Sequence, residues 1–206
     1  MNTYNGHTIL LLGPTGSGKT PLGDTLAGNG INGQHTAHFD FGNHLRAAVS
    51  DPQGYPLLTP NDITLLKEKL AANALLENSE FYIAERILGS FVSTRNLGNN
   101  DYLILNGLPR HTGQAEALEP YLSVSLVINL ECSPEVVLDR IRSNAGGDRT
   151  LRDDDSSGEI QRKLELFRRR TLPLLDYYRQ RNVPVRQIPV KTGMSLHDMM
   201  ALTGFA

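Results

Sequence analysis

Gly13-Pro14-Thr15-Gly16-Ser17-Gly18-Lys19-Thr20 fills every defined position of the pattern GxxxxGK(S/T). The apolar run Ile9-Leu10-Leu11-Leu12 stands directly before it, where a buried strand should end. Loop and flank together predict a strand, a phosphate cradle and a helix, and therefore a nucleoside triphosphate site. Phosphate oxygens are anions that need several donors at short range. Gly16 and Gly18 let the backbone curl into a concave nest because no Cβ blocks positive φ. A helix opening near Gly18 adds free N–H groups and the positive end of its dipole. Gly13, Thr15, Gly16, Ser17, Gly18, Lys19 and Thr20 are thus the expected ATP-binding set, with Lys19 on the β- and γ-phosphates and the Thr20 hydroxyl on magnesium. Pro21 stands in the first helical turn, where a missing N–H is tolerated. It also removes a possible phosphate donor, and a hydrogen bond to a charged group is worth about 1.5–3 kcal/mol.

The 206 residues suffice for one domain with a substantial core. A net charge of -2 and a pI near 6.3 give no global basic field for nucleic acid. A single cysteine, Cys132, excludes an internal disulfide and fits a reducing cytoplasm. No apolar stretch reaches membrane-span length, and the start MNTYNGHT is polar rather than signal-like. The expectation is a cytoplasmic monomer whose partners are small nucleotides, not nucleic acid or membrane. The six histidines have no metal-ligand spacing.

Outward from the loop, strand and helix patterns alternate. Strands are expected at 8–12, 38–41, 102–105, 126–130 and 185–190. Helices are expected from the loop to about 27, then at 43–50, 60–76, 81–91, 114–118, 134–142, 159–178 (bent at Pro173) and 196–202. This alternation predicts a three-layer α/β/α domain on a mostly parallel sheet. Ligands on such sheets bind beyond the carboxyl ends of the strands, so the loops at Gly13, Asn106-Gly107 and Cys132 should border one cleft.

Four segments, in order, resemble the nucleoside monophosphate kinases, adenylate kinase in particular. They are the phosphate loop; FDFGNHLRAAV at 39–49; LNGLPRHTGQAEAL at 105–118; and the run 140–178, where DRIRS leads to LRDDD and then to TLPLLDYY. The resemblance covers nearly the whole chain. It implies a P-loop NTPase fold with a core of about 1–37 and 80–206. A monophosphate-binding insertion would span about 38–79 and a short lid about 140–155. It implies that Arg46 and Arg110 grip the acceptor phosphate, that Gln114 bonds the acceptor base and that Arg140 stacks on the donor base. Arg149 and Arg152 would reach in when the lid closes, with Asp154 and Asp155 fixing them. Lys163, with Arg162 one position earlier, stands where the family has an arginine.

The chain also departs from the pattern. Asn106 replaces an aspartate that helps hold the magnesium waters, leaving a role through water without a charge. Phe41 replaces a threonine beside the acceptor base, and Asn43 replaces an aspartate. The implied activity is ATP-dependent phosphoryl transfer to a nucleoside monophosphate. Two alternatives remain open at this point. One is a regulatory nucleotide-binding protein of kinase-like fold, motivated by Asn106 and Pro21. The other is a tRNA prenyltransferase, whose opening GPTGSGKT resembles, although those chains are longer and the acidic balance here opposes tRNA binding.

Overall fold

The computed structural model describes residues 3–147 and 156–205. Five parallel strands form one sheet in the order β2-β3-β1-β4-β5. They are β1 (His7–Leu12), β2 (Thr36–Asp40), β3 (Tyr102–Asn106), β4 (Val124–Glu131) and β5 (Val185–Pro189). All five therefore end on the same edge, and β1 is central, flanked by β3 and β4.

Alternation along β1 divides the core. Leu10 and Leu12 pack on one face with Phe39, Leu103, Leu105 and Val127. That face is covered by α4 (Phe81–Arg95), α5 (Thr112–Leu118) and α8 (Leu174–Gln180), through residues such as Ile87, Leu118 and Tyr178. Ile9 and Leu11 pack on the other face with Ile104, Ile128 and Ile188. There α1 (Lys19–Asn29) supplies Leu22 and Leu26, and α9 (Leu196–Thr203) supplies Met199 and Met200. Both faces of the sheet are dry, which is why β1 reads as a continuous apolar run and not as an alternating one. The three layers are those expected from the sequence.

Several boundaries differ from the sequence expectation, each for a local reason. β2 ends at Asp40, and α2 (Phe41–Ser50) starts two residues early because the Asp40 side chain accepts from Asn43 N–H as its N-cap. α3 (Pro60–Ala71) opens on a reciprocal Thr59/Asp62 capping box. It stops five residues short of the expected end, where Asn73 turns left-handed at φ 50°. The helix expected at 159–178 is two helices, α7 (Ser157–Leu166) and α8. A single wide turn at Phe167–Thr171 separates them, with Leu172 N–H bonding back to Phe167 O at 2.8 Å. Pro173 accounts for the break, since its ring would crowd the carbonyl four residues earlier. α6 (Pro134–Arg142) begins behind the Ser133 cap, as its sequence predicts.

A buried carboxylate helps to anchor the α2–α3 arm. Asp62 is buried and accepts from Tyr82 Oη (2.6 Å) and Arg86 Nη1 (3.1 Å) on α4.

Candidate active site

The ends of β1, β2 and β3 open into a cleft of about 550 Å³. Its floor is the β1–α1 loop. Gly16 and Gly18 sit at φ 73° and 100°, and a Cβ on Gly16 would lie 2.6 Å from Ile141 Cγ1. Glycine is therefore required there for conformation and for space. The Lys19 ammonium is folded onto its own loop, donating to Gly13 O (2.8 Å), Pro14 O (2.7 Å) and Ser17 Oγ (3.4 Å). Gly13, Thr15, Gly16, Gly18, Lys19 and Thr20 line the cleft, whereas Ser17 is fully buried beneath it. Pro21 is the third residue of α1, and the helix closes normally over it through Leu22 N–H to Gly18 O.

Basic residues also line the cleft. Arg46 on α2 and Arg110 after β3 both line it, as do Lys69 on α3 and Lys163 on α7. Arg110 is held by its backbone on two sides. Its N–H donates to Gln114 Oε1 (2.7 Å), and its carbonyl accepts from Thr171 Oγ1 (2.8 Å) on the wide turn. Burial pulls the Arg110 guanidinium pKa below its usual range, and the Asp40 carboxylate pulls it back up. The group stays cationic, because an arginine starts so high. The arm also contributes apolar lining through Leu45, Leu70 and Leu75.

Some expected residues stand elsewhere. Gln114 is buried, with its amide oxygen on Arg110 N–H and its amide nitrogen on Leu76 O (2.8 Å), so it acts as a brace for Arg110. Phe41 is buried in the core against Phe39. Arg140 is buried behind the loop, donating to Gly16 O (3.3 Å) and Met194 O (3.0 Å). Those bonds brace the cradle from outside. Arg162 is exposed, and its neighbour Lys163 is the one that faces the cleft. Arg149, Arg152, Asp154 and Asp155 lie outside the described residues.

Sequence reading missed Asp40, which lines the cleft at the end of β2. Its Oδ2 accepts from the Thr20 hydroxyl (2.6 Å) and from Asn106 Nδ2 (2.8 Å), and the same amide also donates to Thr20 Oγ1 (3.1 Å). The reverse amide orientation would set oxygen against carboxylate, so the network fixes Asn106 as a donor here. The available signal was an acid at the carboxyl end of a strand beside the central loop. Thr20 and Asp40 are hard oxygen donors and fit magnesium, which binds through few protein ligands plus waters and phosphates. Among the described residues no group of three or more His, Cys, Asp or Glu forms a metal cage. No helix among them is long and apolar enough to cross a membrane.

No protein-family model matches the chain. Curated relatives do. The adenylate kinase of Synechococcus sp. strain WH7803 is 31% identical over 180 residues, covering 85% of this chain and 86% of its own. That of Parasynechococcus marenigrum strain WH8102 is 30% identical over 182 residues, covering 86% and 87%. Among solved structures, a gluconokinase from Sinorhizobium meliloti 1021 aligns over 98% of this chain and 90% of its own, at a TM-score of 0.52 and 16% identity, a likeness of fold alone. With its parallel sheet, its glycine cradle and these relatives, the chain belongs to the adenylate kinase family, as a divergent nucleoside monophosphate kinase-like member on the P-loop NTPase fold.

Proposed function

We propose that the protein transfers the γ-phosphoryl group of ATP to a nucleoside monophosphate, as a cytoplasmic monomer. The observation that carries this reading is one cleft lined both by a phosphate cradle and by Arg46 and Arg110. Two nucleotides meeting end to end bring about six negative charges together, and the loose transition state spreads charge over three equatorial oxygens. Little covalent help is needed, and positioned cations do most of the work.

Each part of the chain then has a task. Lys19 leaves its loop carbonyls for the transferring phosphate, a short movement for a flexible ammonium. The loop amides hold the donor phosphates and keep them from drifting. Arg46 and Arg110 offer planar forks that match a phosphate edge with two donors each. Arg110 is pre-set by Gln114 and Thr171, so less order is lost when it engages. Leu45, Leu70 and Leu75 offer an apolar surface to a base or sugar. Lys163 approaches the cleft from α7. Thr20 would hold magnesium, which when bound supplies neutralising charge to the donor phosphates.

The test is calorimetry with a bisubstrate dinucleotide in which two adenosines are joined by five phosphates. Binding at one site per chain, tighter than ATP by tenfold or more, is expected because both ends of the cleft are filled at once. Affinity no better than that of ATP would mean that the cleft does not take an adenosine nucleotide beside ATP.

A further inference from the structure

The kinase reading leaves a charge unaccounted for. The family's metal-holding aspartate is Asn106 here, yet a carboxylate still touches the loop threonine, and it comes from the neighbouring strand. Asp40 and Asn106 are register partners at the ends of β2 and β3. Asp40 Oδ2 reaches past Asn106 to the Thr20 hydroxyl at 2.6 Å. We infer that Asp40 has taken over the lost role and holds the waters of the nucleotide-bound divalent cation, with Asn106 serving to orient it. This inference rests on the kinase reading above.

Three observations carry it. The first is stoichiometric. A hydroxyl has one proton and two lone pairs. The Thr20 proton goes to Asp40 and one lone pair takes Asn106 N–H, so one lone pair remains for a metal ion. Asp40 thus leaves Thr20 competent as a ligand and fixes its direction, the service expected of a group behind a metal ligand. The second is electrostatic. A carboxylate beside a polyphosphate cradle repels its ligand by Coulomb's law, unless a cation stands between them. Arg46 and Arg110 flank the same corner. A Cβ on Gly42 would lie 3.4 Å from Asp40 Oδ1 and 3.6 Å from Arg46 Nη1, and the Asp40 charge is felt at Arg110. Arg46, however, donates to Asn43 Oδ1, whereas the hydroxyl that Asp40 orients belongs to the phosphate loop. The third is that capping alone does not require an acid. Oδ1 caps α2 through Asn43 N–H at 3.0 Å, and an asparagine or serine would cap as well. The second oxygen is the part that capping leaves free for Thr20.

Asn106 then has a positive task. Its amide donates to both Thr20 and Asp40, holding the two oxygens together. In D40N/N106D the same two groups trade places, which returns the acid to β3 while preserving the count of donors and acceptors.

The experiment uses the full chain with the β,γ-imido analogue of ATP. Mn²⁺ binding to the protein–analogue complex is read by electron paramagnetic resonance, and analogue binding in EDTA by calorimetry. The inference expects D40N to weaken Mn²⁺ binding about tenfold or more, with analogue affinity in EDTA unchanged or improved. It expects D40N/N106D to recover Mn²⁺ affinity to within about threefold of wild type, since the second-shell charge is restored. Unaltered Mn²⁺ binding in D40N overturns the inference alone. So does an equal loss of metal-free affinity, which would make Asp40 a structural residue. So does a folded double variant that stays as weak as D40N. A wild type that binds no analogue, with or without metal, overturns the kinase reading and this inference with it.

Discussion

The two ends of the cleft were built by different rules. At the proposed donor end the backbone would make the site. Gly16 and Gly18 take positive φ, and α1 opens directly after Gly18. At the proposed acceptor end side chains would make the site, carried on the α2–α3 arm and on the loop after β3. A backbone site tolerates little change, because a Cβ at Gly16 would strike Ile141. A side-chain site can drift while the fold persists. In this chain the departures at Phe41, Asn43 and Asn106 lie on the arm and at the end of β3, and the glycine loop keeps every position of its pattern.

The sharpest way to break this contrast is at Lys19. Lys19→Ala should lower turnover by about 10²–10³-fold, the usual scale for removing one preorganised charge donor, with thermal stability unchanged. A variant that keeps a tenth of wild-type turnover would show that the loop is not the catalytic floor. Next in size is Arg46→Ala. One charge-assisted contact of about 1.5–3 kcal/mol predicts an acceptor KM raised about tenfold to a hundredfold, with ATP KM unmoved. Equal losses for both substrates would mean that the two ends are not separable.

The arm's anchor gives a smaller effect that is read in stability. Burial alone would raise the Asp62 carboxyl, but hydrogen bonds from Tyr82 and Thr59 and the Arg86 charge hold it below the usual carboxylate range. The folded state therefore binds this proton less readily than the unfolded chain. Its stabilisation is full above the unfolded value of about 4 and is lost as pH falls through the folded one. Asp62→Asn should cost about 1–3 kcal/mol at neutral pH and flatten the acid limb of a urea-denaturation series. An acid limb identical to wild type would remove Asp62 as the anchor. The smallest effect is expected at Leu45→Ala, where the lost apolar contact is worth about 1–2 kcal/mol. It should change acceptor KM by about fivefold to thirtyfold and alter the ranking among monophosphates. An unaltered ranking would mean that the apolar wall does not touch the acceptor.

The same contrast explains what the sequence disclosed. The loop, the strand before it and the three-layer order were legible because glycine spacing and apolar runs dictate backbone directly. Helix ends were legible where the cap was local, as at Ser133, and were missed where the chain turned on a single residue such as Asn73. The wide turn at Phe167–Thr171 left no periodic signature, since one extra residue per turn shifts the stripe without erasing it. Gln114 and Arg140 carried family roles that their hydrogen bonds here do not display; both are engaged by backbone carbonyls or amides. Asp40 was overlooked because the family pattern directs attention to position 106. Only the register of two neighbouring strands reveals that the acid stands one strand away.

The central claim is phosphoryl transfer between two nucleotides, and it is tested most directly by ADP formation from ATP with pure protein, monophosphate by monophosphate, against a control without acceptor. The account predicts ADP release that depends on at least one monophosphate and saturates with it. No release above the control with any common monophosphate, from protein that binds ATP, would contradict it.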